Sequence, residues 1–166
     1  MKLYLVRHGA AGEVAASDAE RVLTETGRQE ARRVGRALAV WGPDTGRVLT
    51  SPLVRARQTA ELIVGEFKTA VPVTVLNELG NGHSTTVLLR ALRTWAGLGG
   101  LVLVGHMPSL AEHLAELVGA GARANFHFRT GTVACVHLTE WRVGAGELGW
   151  LAGPEQLAAG SSFTLA

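Results

Sequence analysis

Short apolar runs alternate along this chain with longer segments whose apolar residues recur every three or four positions, and that alternation restricts the fold more than any other feature. Short runs suit buried strands, and the periodic stretches suit helices that bury one stripe. Strands are expected near residues 2–7, 46–50, 71–76 and 101–105. Between them, Ala31, Val34, Leu38 and Trp41 share one face of a helix over 25–41, with Thr24 as its cap and Gly42 as its stop. A second helix is expected from Pro52 to about Glu66, with Ser51 as N-cap and Pro52 as first helical residue. A third covers 84–96, and a fourth starts near Pro108 with Leu110, Leu114, Leu117 and Val118 as its stripe. Residues 132–138 and 148–151, around Gly144-Ala145-Gly146, read as a hairpin. Strands alternating with helices give an α/β layer architecture.

The 166 residues suit one domain, 1–166, a length that buries roughly 70% of the unfolded surface. A hydrophobic share of 47% with 18% charged residues is too apolar for disorder. No charge-free run is long enough to span a bilayer, and Arg7 and His8 cut the first apolar run too short for a signal-peptide core, so a cytoplasmic location away from membranes is expected. The lone Cys135 has no disulfide partner and reads as a buried strand residue. The net charge of +2 comes almost wholly from arginine, with Lys2 and Lys68 the only lysines. No basic run points to nucleic acid; Arg28, Arg32, Arg33 and Arg36 lie at helical spacing and read as a solvated face.

Chemistry concentrates at three turns. His8, in Arg7-His8-Gly9, follows the first apolar run; Arg55 falls in the first turn of the Pro-led helix; His106 follows the run Leu101-Val102-Leu103-Val104. All three would meet at the carboxyl edge of one sheet, where open α/β sheets bind ligands. Helix starts at Pro52 and Pro108 would add free amide donors and partial positive charge, a setting for a phosphoryl dianion. No metal or other cofactor is called for, since no His-x-x-x-His or Glu-x-x-His set lies beside His8 or His106. His113, seven residues beyond His106, reads as structural.

The chain resembles the histidine phosphatase, or phosphoglycerate mutase-like, superfamily. Arg7-His8-Gly9 matches its hallmark, Leu23-Thr24 with Gly27 its helix start, residues 51–60 its Ser-Pro-x-x-Arg-Ala-x-Gln-Thr segment, and Gly105-His106 its second histidine. Within it the chain is most similar to the SixA type of phosphohistidine phosphatase, through its length, Ala16-Ser17-Asp18 followed by Arg21, and Val75-Leu76-Asn77-Glu78-Leu79. The resemblance implies a three-layer α/β/α sandwich around a mostly parallel sheet. It implies that His8 is the nucleophile that becomes phosphorylated, that Arg7 and Arg55 clamp the phosphoryl oxygens, and that a protonated His106 adds a third donor. Gly9 would let the chain pass close to the phosphate, and Ser17 and Arg21 would extend the pocket, with His83 at its rim. Two loop acids compete as proton donor, Glu78 being preferred to Asp18.

The segment between Leu79 and the third helix leaves no room for a sizeable lid. An open pocket would admit a phosphohistidine on a partner protein, such as a histidine phosphotransfer domain. Its imidazole leaving group asks less of an acid than an alkoxide does. The alternatives are a phosphatase for a small phosphomonoester, such as a sugar or nucleoside phosphate, and a non-catalytic phosphate-binding module.

Overall fold

The computed structural model describes residues 1–42 and 44–158. Six strands form one sheet: β1 (Lys2–Arg7), β2 (Thr45–Thr50), β3 (Val73–Val75), β4 (Gly100–Gly105), β5 (Val133–Leu138) and β6 (Gly146–Ala152). Their order is β3-β2-β4-β1-β5-β6. The pairs among β1 to β4 are parallel, and β5 joins β1 antiparallel before turning into β6. The expected mostly parallel sheet and terminal hairpin are both present.

Five helices cover the two faces: α1 (Glu25–Trp41), α2 (Val54–Val64), α3 (Thr85–Leu92), α4 (Ser109–Leu117) and α5 (Pro154–Ala158). The period-2 alternation of a strand divides the core. Leu3 and Leu5 of β1 join the cluster beneath α3 and α4, whereas Tyr4 and Val6 join the cluster beneath α1, α2 and α5. All six residues of β4 are buried, as a central strand covered on both faces requires. Edge strands β3 and β6 alternate between exposed and half-buried along most of their length.

Helix α1 starts and stops where its sequence signals lie, with the Thr24 hydroxyl accepting the Gly27 amide at 3.1 Å and Gly42 at the C-cap. Its arginine stripe is solvated; Arg32 and Arg36 reach Glu66. Helix α2 differs from expectation. It begins at Val54 with Leu53 in the cap position, so Pro52 lies outside it and Ser51 is no N-cap. The Ser51 hydroxyl is engaged elsewhere, on His106. Helix α3 closes early, its last turn tightening into a 3-10 segment, Arg93–Trp95.

The loops after β1, β2 and β4 stay together because hydrogen bonding continues past the strand ends. The His8 amide donates to Gly105 O at 3.2 Å and the Ser51 amide to Val104 O at 3.0 Å. The three chemistry-bearing turns are thereby held at one edge.

Candidate active site

A cavity of about 440 Å³ opens at that edge, lined by Arg7, His8, Asp18, Arg21, Arg55 and His106, with Ala10, Ala11, Asn81, Met107 and Thr130. His8 and Arg55 are buried at 8% and 6% exposure. Three guanidinium groups face a single carboxylate, so the cavity is strongly cationic.

His8 Nδ1 lies 2.7 Å from Gly9 O, to which it donates, and its Nε2 accepts from Arg55 Nε at 3.2 Å. This fixes the tautomer with the Nε2 lone pair toward Arg55. Burial, then the nearby Arg55, Arg7 and Arg21 charges, pull the ring's pKa down to about 4 against the favourable Gly9 contact. His8 is therefore a neutral, nucleophilic imidazole at neutral pH.

The His106 ring stands 4.8 Å from that of His8. Its Nε2 lies 2.5 Å from Ser51 Oγ, which also accepts the Leu53 amide at 3.3 Å. The Ser51 hydroxyl thus bridges the Leu53 amide and the His106 ring, while His106 Nδ1 is buried without a partner among the described residues. Burial first, and then the proximity of His8 and Arg55, lower the His106 pKa to about 3. Burial and these neighbours hold the ring neutral, whereas the sequence reading has it donate as a cation.

Arg55 donates to the Asp18 carboxylate at 2.9 Å, and Arg21 reaches the same carboxylate at 3.2 Å. Hydrogen bonds from Arg55 and Arg21 hold the Asp18 pKa below the usual carboxylate range. Arg7 donates to Phe128 O at 2.6 Å while its Nε is buried without a partner.

The structure thus brings Arg7, His8, Asp18, Arg21, Arg55 and His106 around one space. Four other residues singled out in the sequence are not among those lining the cavity. Glu78 sits half-buried on the 3-10 turn Asn77–Leu79. Ser17 is exposed and donates to Glu20. His83 is exposed. Gly9 is required for a different contact: a Cβ there would stand 2.3 Å from Gly27 O.

Sequence reasoning also missed the residues that hold the site. From α1, Glu30 accepts the Ala10 amide at 2.8 Å and the Thr130 hydroxyl at 3.0 Å, tying the His8 loop to the loop before β5. From α2, Thr59 accepts the Gly9 amide at 3.1 Å and Gln58 accepts the Leu23 amide at 2.8 Å. The spacing Arg55, Gln58, Thr59 places these side chains near one face of α2, the signal that could have revealed their shared task. Among the described residues, no three His, Cys, Asp or Glu side chains gather as a metal site. No helix among the described residues is long and apolar enough to cross a membrane.

A neutral histidine at a strand end, ringed by arginines at the carboxyl edge of an α/β sheet, defines the class of phosphatases that use a histidine nucleophile. Residues 3–85 match the model of the histidine phosphatase superfamily (branch 1). The chain is 32% identical over 157 residues to the phosphohistidine phosphatase SixA of Escherichia coli, covering 93% of this chain and 94% of the relative. It is 38% identical over 125 residues, covering 73% and 74%, to an uncharacterized Picosynechococcus protein. A solved structure of the protein histidine phosphatase SixA complexed with tungstate superposes with a TM-score of 0.85 at 30% identity, covering 95% of this chain and 99% of that one. The chain belongs to the histidine phosphatase superfamily.

Proposed function

We propose that the protein hydrolyses phosphohistidine on a partner protein through a phosphorylated His8. The observation that carries this reading is the His8 ring itself, anchored through Nδ1 on Gly9 O with Nε2 at the arginine-lined cavity. Likeness to SixA, named for phosphohistidine and solved with tungstate, a tetrahedral oxyanion, supports it.

In the first step His8 Nε2 attacks phosphorus in line. The new P–N bond forms as the bond to the substrate imidazole breaks, and Arg7, Arg55 and Arg21 stabilise charge on the equatorial oxygens. The His106 ring lines the same cavity beside His8, where it can contact one of those oxygens. Water then attacks the phosphoenzyme, releasing inorganic phosphate and restoring His8. Glu78 is not among the residues lining the cavity and Asp18 is held ionised by its arginines, so this reading assigns the first step no side-chain proton donor. A substrate imidazole protonated on its second nitrogen leaves as a neutral ring and needs no such donor, whereas an alkoxide does. That difference favours phosphohistidine over sugar or nucleoside phosphates.

We also read residues 1–166 as one domain, because the described helices pack on a single sheet. A cytoplasmic location fits the buried thiol of Cys135.

Incubation with a histidine phosphotransfer domain carrying labelled phosphohistidine should release phosphate and transiently label His8. His8→Ala should lower turnover by at least about a thousandfold while phosphate binding persists through the arginines. A label on another residue, or a marked preference for small esters, would sink the reading.

A further inference from the structure

A second depression adjoins the catalytic cavity. A groove of about 340 Å³ runs along α4, lined by Met107, Ala111, Glu112, Ala115 and Glu116 and by part of the 121–125 segment. Met107 also lines the catalytic cavity, so the two share a wall. Ala111 and Ala115 stand one helical turn apart and keep the floor shallow; Glu112 and Glu116 repeat that spacing beside them. At 1.5 Å per residue the two glutamates lie about 5 and 10 Å beyond the start of α4. Arg123 belongs to the flanking 121–125 segment but is not among the lining residues, and neither glutamate forms an ion pair among the described residues. On the other side of Met107, three arginines face one aspartate. The sign of the charge reverses across a single side chain.

Such a surface complements a ligand that is anionic at one point and cationic close by. We propose that the α4 groove receives the polypeptide segment flanking the substrate phosphohistidine and selects a segment bearing lysine or arginine among small apolar residues. The proposal rests on the phosphohistidine reading above and names the chemistry of the partner. A small phosphate ester does not extend past Met107, and a free anion is repelled by the glutamates. The cationic cavity by itself would favour acidic flanks, so the two surfaces make opposite demands on substrate sequence.

Two peptides, each phosphorylated by phosphoramidate on a single histidine and differing only in lysine or glutamate flanks, separate these demands. The wild-type protein should turn over the lysine-flanked peptide with about tenfold higher kcat/KM, mainly through KM. The double variant Glu112→Lys/Glu116→Lys, altered at surface positions away from the catalytic groups, should reverse that preference while hydrolysing free phosphohistidine at the wild-type rate. Absence of a lysine preference, or a preference that survives the double variant, overturns the groove assignment. So does a wild-type dimer, seen by sedimentation, that the double variant converts to monomer, because the groove would then seat a second copy. If neither peptide is hydrolysed while p-nitrophenyl phosphate is, the phosphohistidine reading itself fails and the groove assignment falls with it.

Discussion

His8 and His106 sit 4.8 Å apart in a cavity rich in guanidinium groups, and burial with neighbouring positive charge holds both rings neutral. Gly9 O sets the tautomer of the His8 ring, and the Ser51 hydroxyl holds the His106 ring through Nε2. Ser51 is a positioning residue in this arrangement, since it acts through His106. Ser51→Ala should release the His106 ring and lower kcat by roughly 10- to 100-fold with little change in KM. Ser51→Thr, which keeps the hydroxyl, should restore much of the rate, and nitrogen NMR should show the His106 Nε2 signal altered in the alanine variant alone. Unchanged kcat in Ser51→Ala would remove Ser51 from the machinery. Arg7, His8, Arg55 and His106 were legible as types of residue at strand and helix ends. Ser51 was misread because its partner lies 55 positions away, and the adjacent Pro52 offered a simpler local explanation as a helix start. The choice between Glu78 and Asp18 was not legible for a similar reason. Both are loop acids, and only the path of each loop decides which one faces the cavity.

At the scale of elements, α1 and α2 act as a frame around the His8 loop. Glu30 and Thr59 hold its backbone, and α1 approaches so closely that a Cβ on Gly27 would stand 2.0 Å from Ala10 O. Backbone cannot yield there as the tip of a flexible side chain can. Gly27→Ala should therefore destabilise the protein by about 1–3 kcal/mol in urea unfolding and reduce activity, because relief requires the His8 loop to move. Wild-type stability and rate in that variant would show that the contact is slack. Most helix bounds were legible where short-range signals suffice, as at Thr24 and Gly42, which bracket α1. The start of α2 was not, because the hydroxyl that would have capped it is consumed by a tertiary contact.

For the whole molecule, three histidines buried in the neutral form link folding to pH. His8 and His113 have pKa values lowered to about 4 and His106 to about 3, chiefly by burial. The unfolded chain takes up these protons near its ordinary value of about 6.5, so protonation favours unfolding as the pH falls. Stability from this source is complete above about pH 6.5 and is lost progressively toward pH 4. His113, packed between α3 and α4 with Nδ1 bonded to the Thr85 hydroxyl, contributes on the order of 3 kcal/mol. Urea midpoints should drop steeply between pH 7 and pH 4.5, and His113→Leu should flatten part of that slope; a flat profile in the wild type would contradict neutral burial. The sequence by itself determined the layered α/β class, most of the elements and the residue types of a phosphate site. Apolar periodicity, helix caps and strand-end turns act within a few residues of one another, so they can be read in a line. Tertiary structure alone decided the strand order, the neutral state of both site histidines, the placing of Asp18 rather than Glu78 at the cavity and the charge reversal across Met107. Those features depend on burial and on contacts between groups far apart in the chain, and solvation and Coulomb energies follow distance in space.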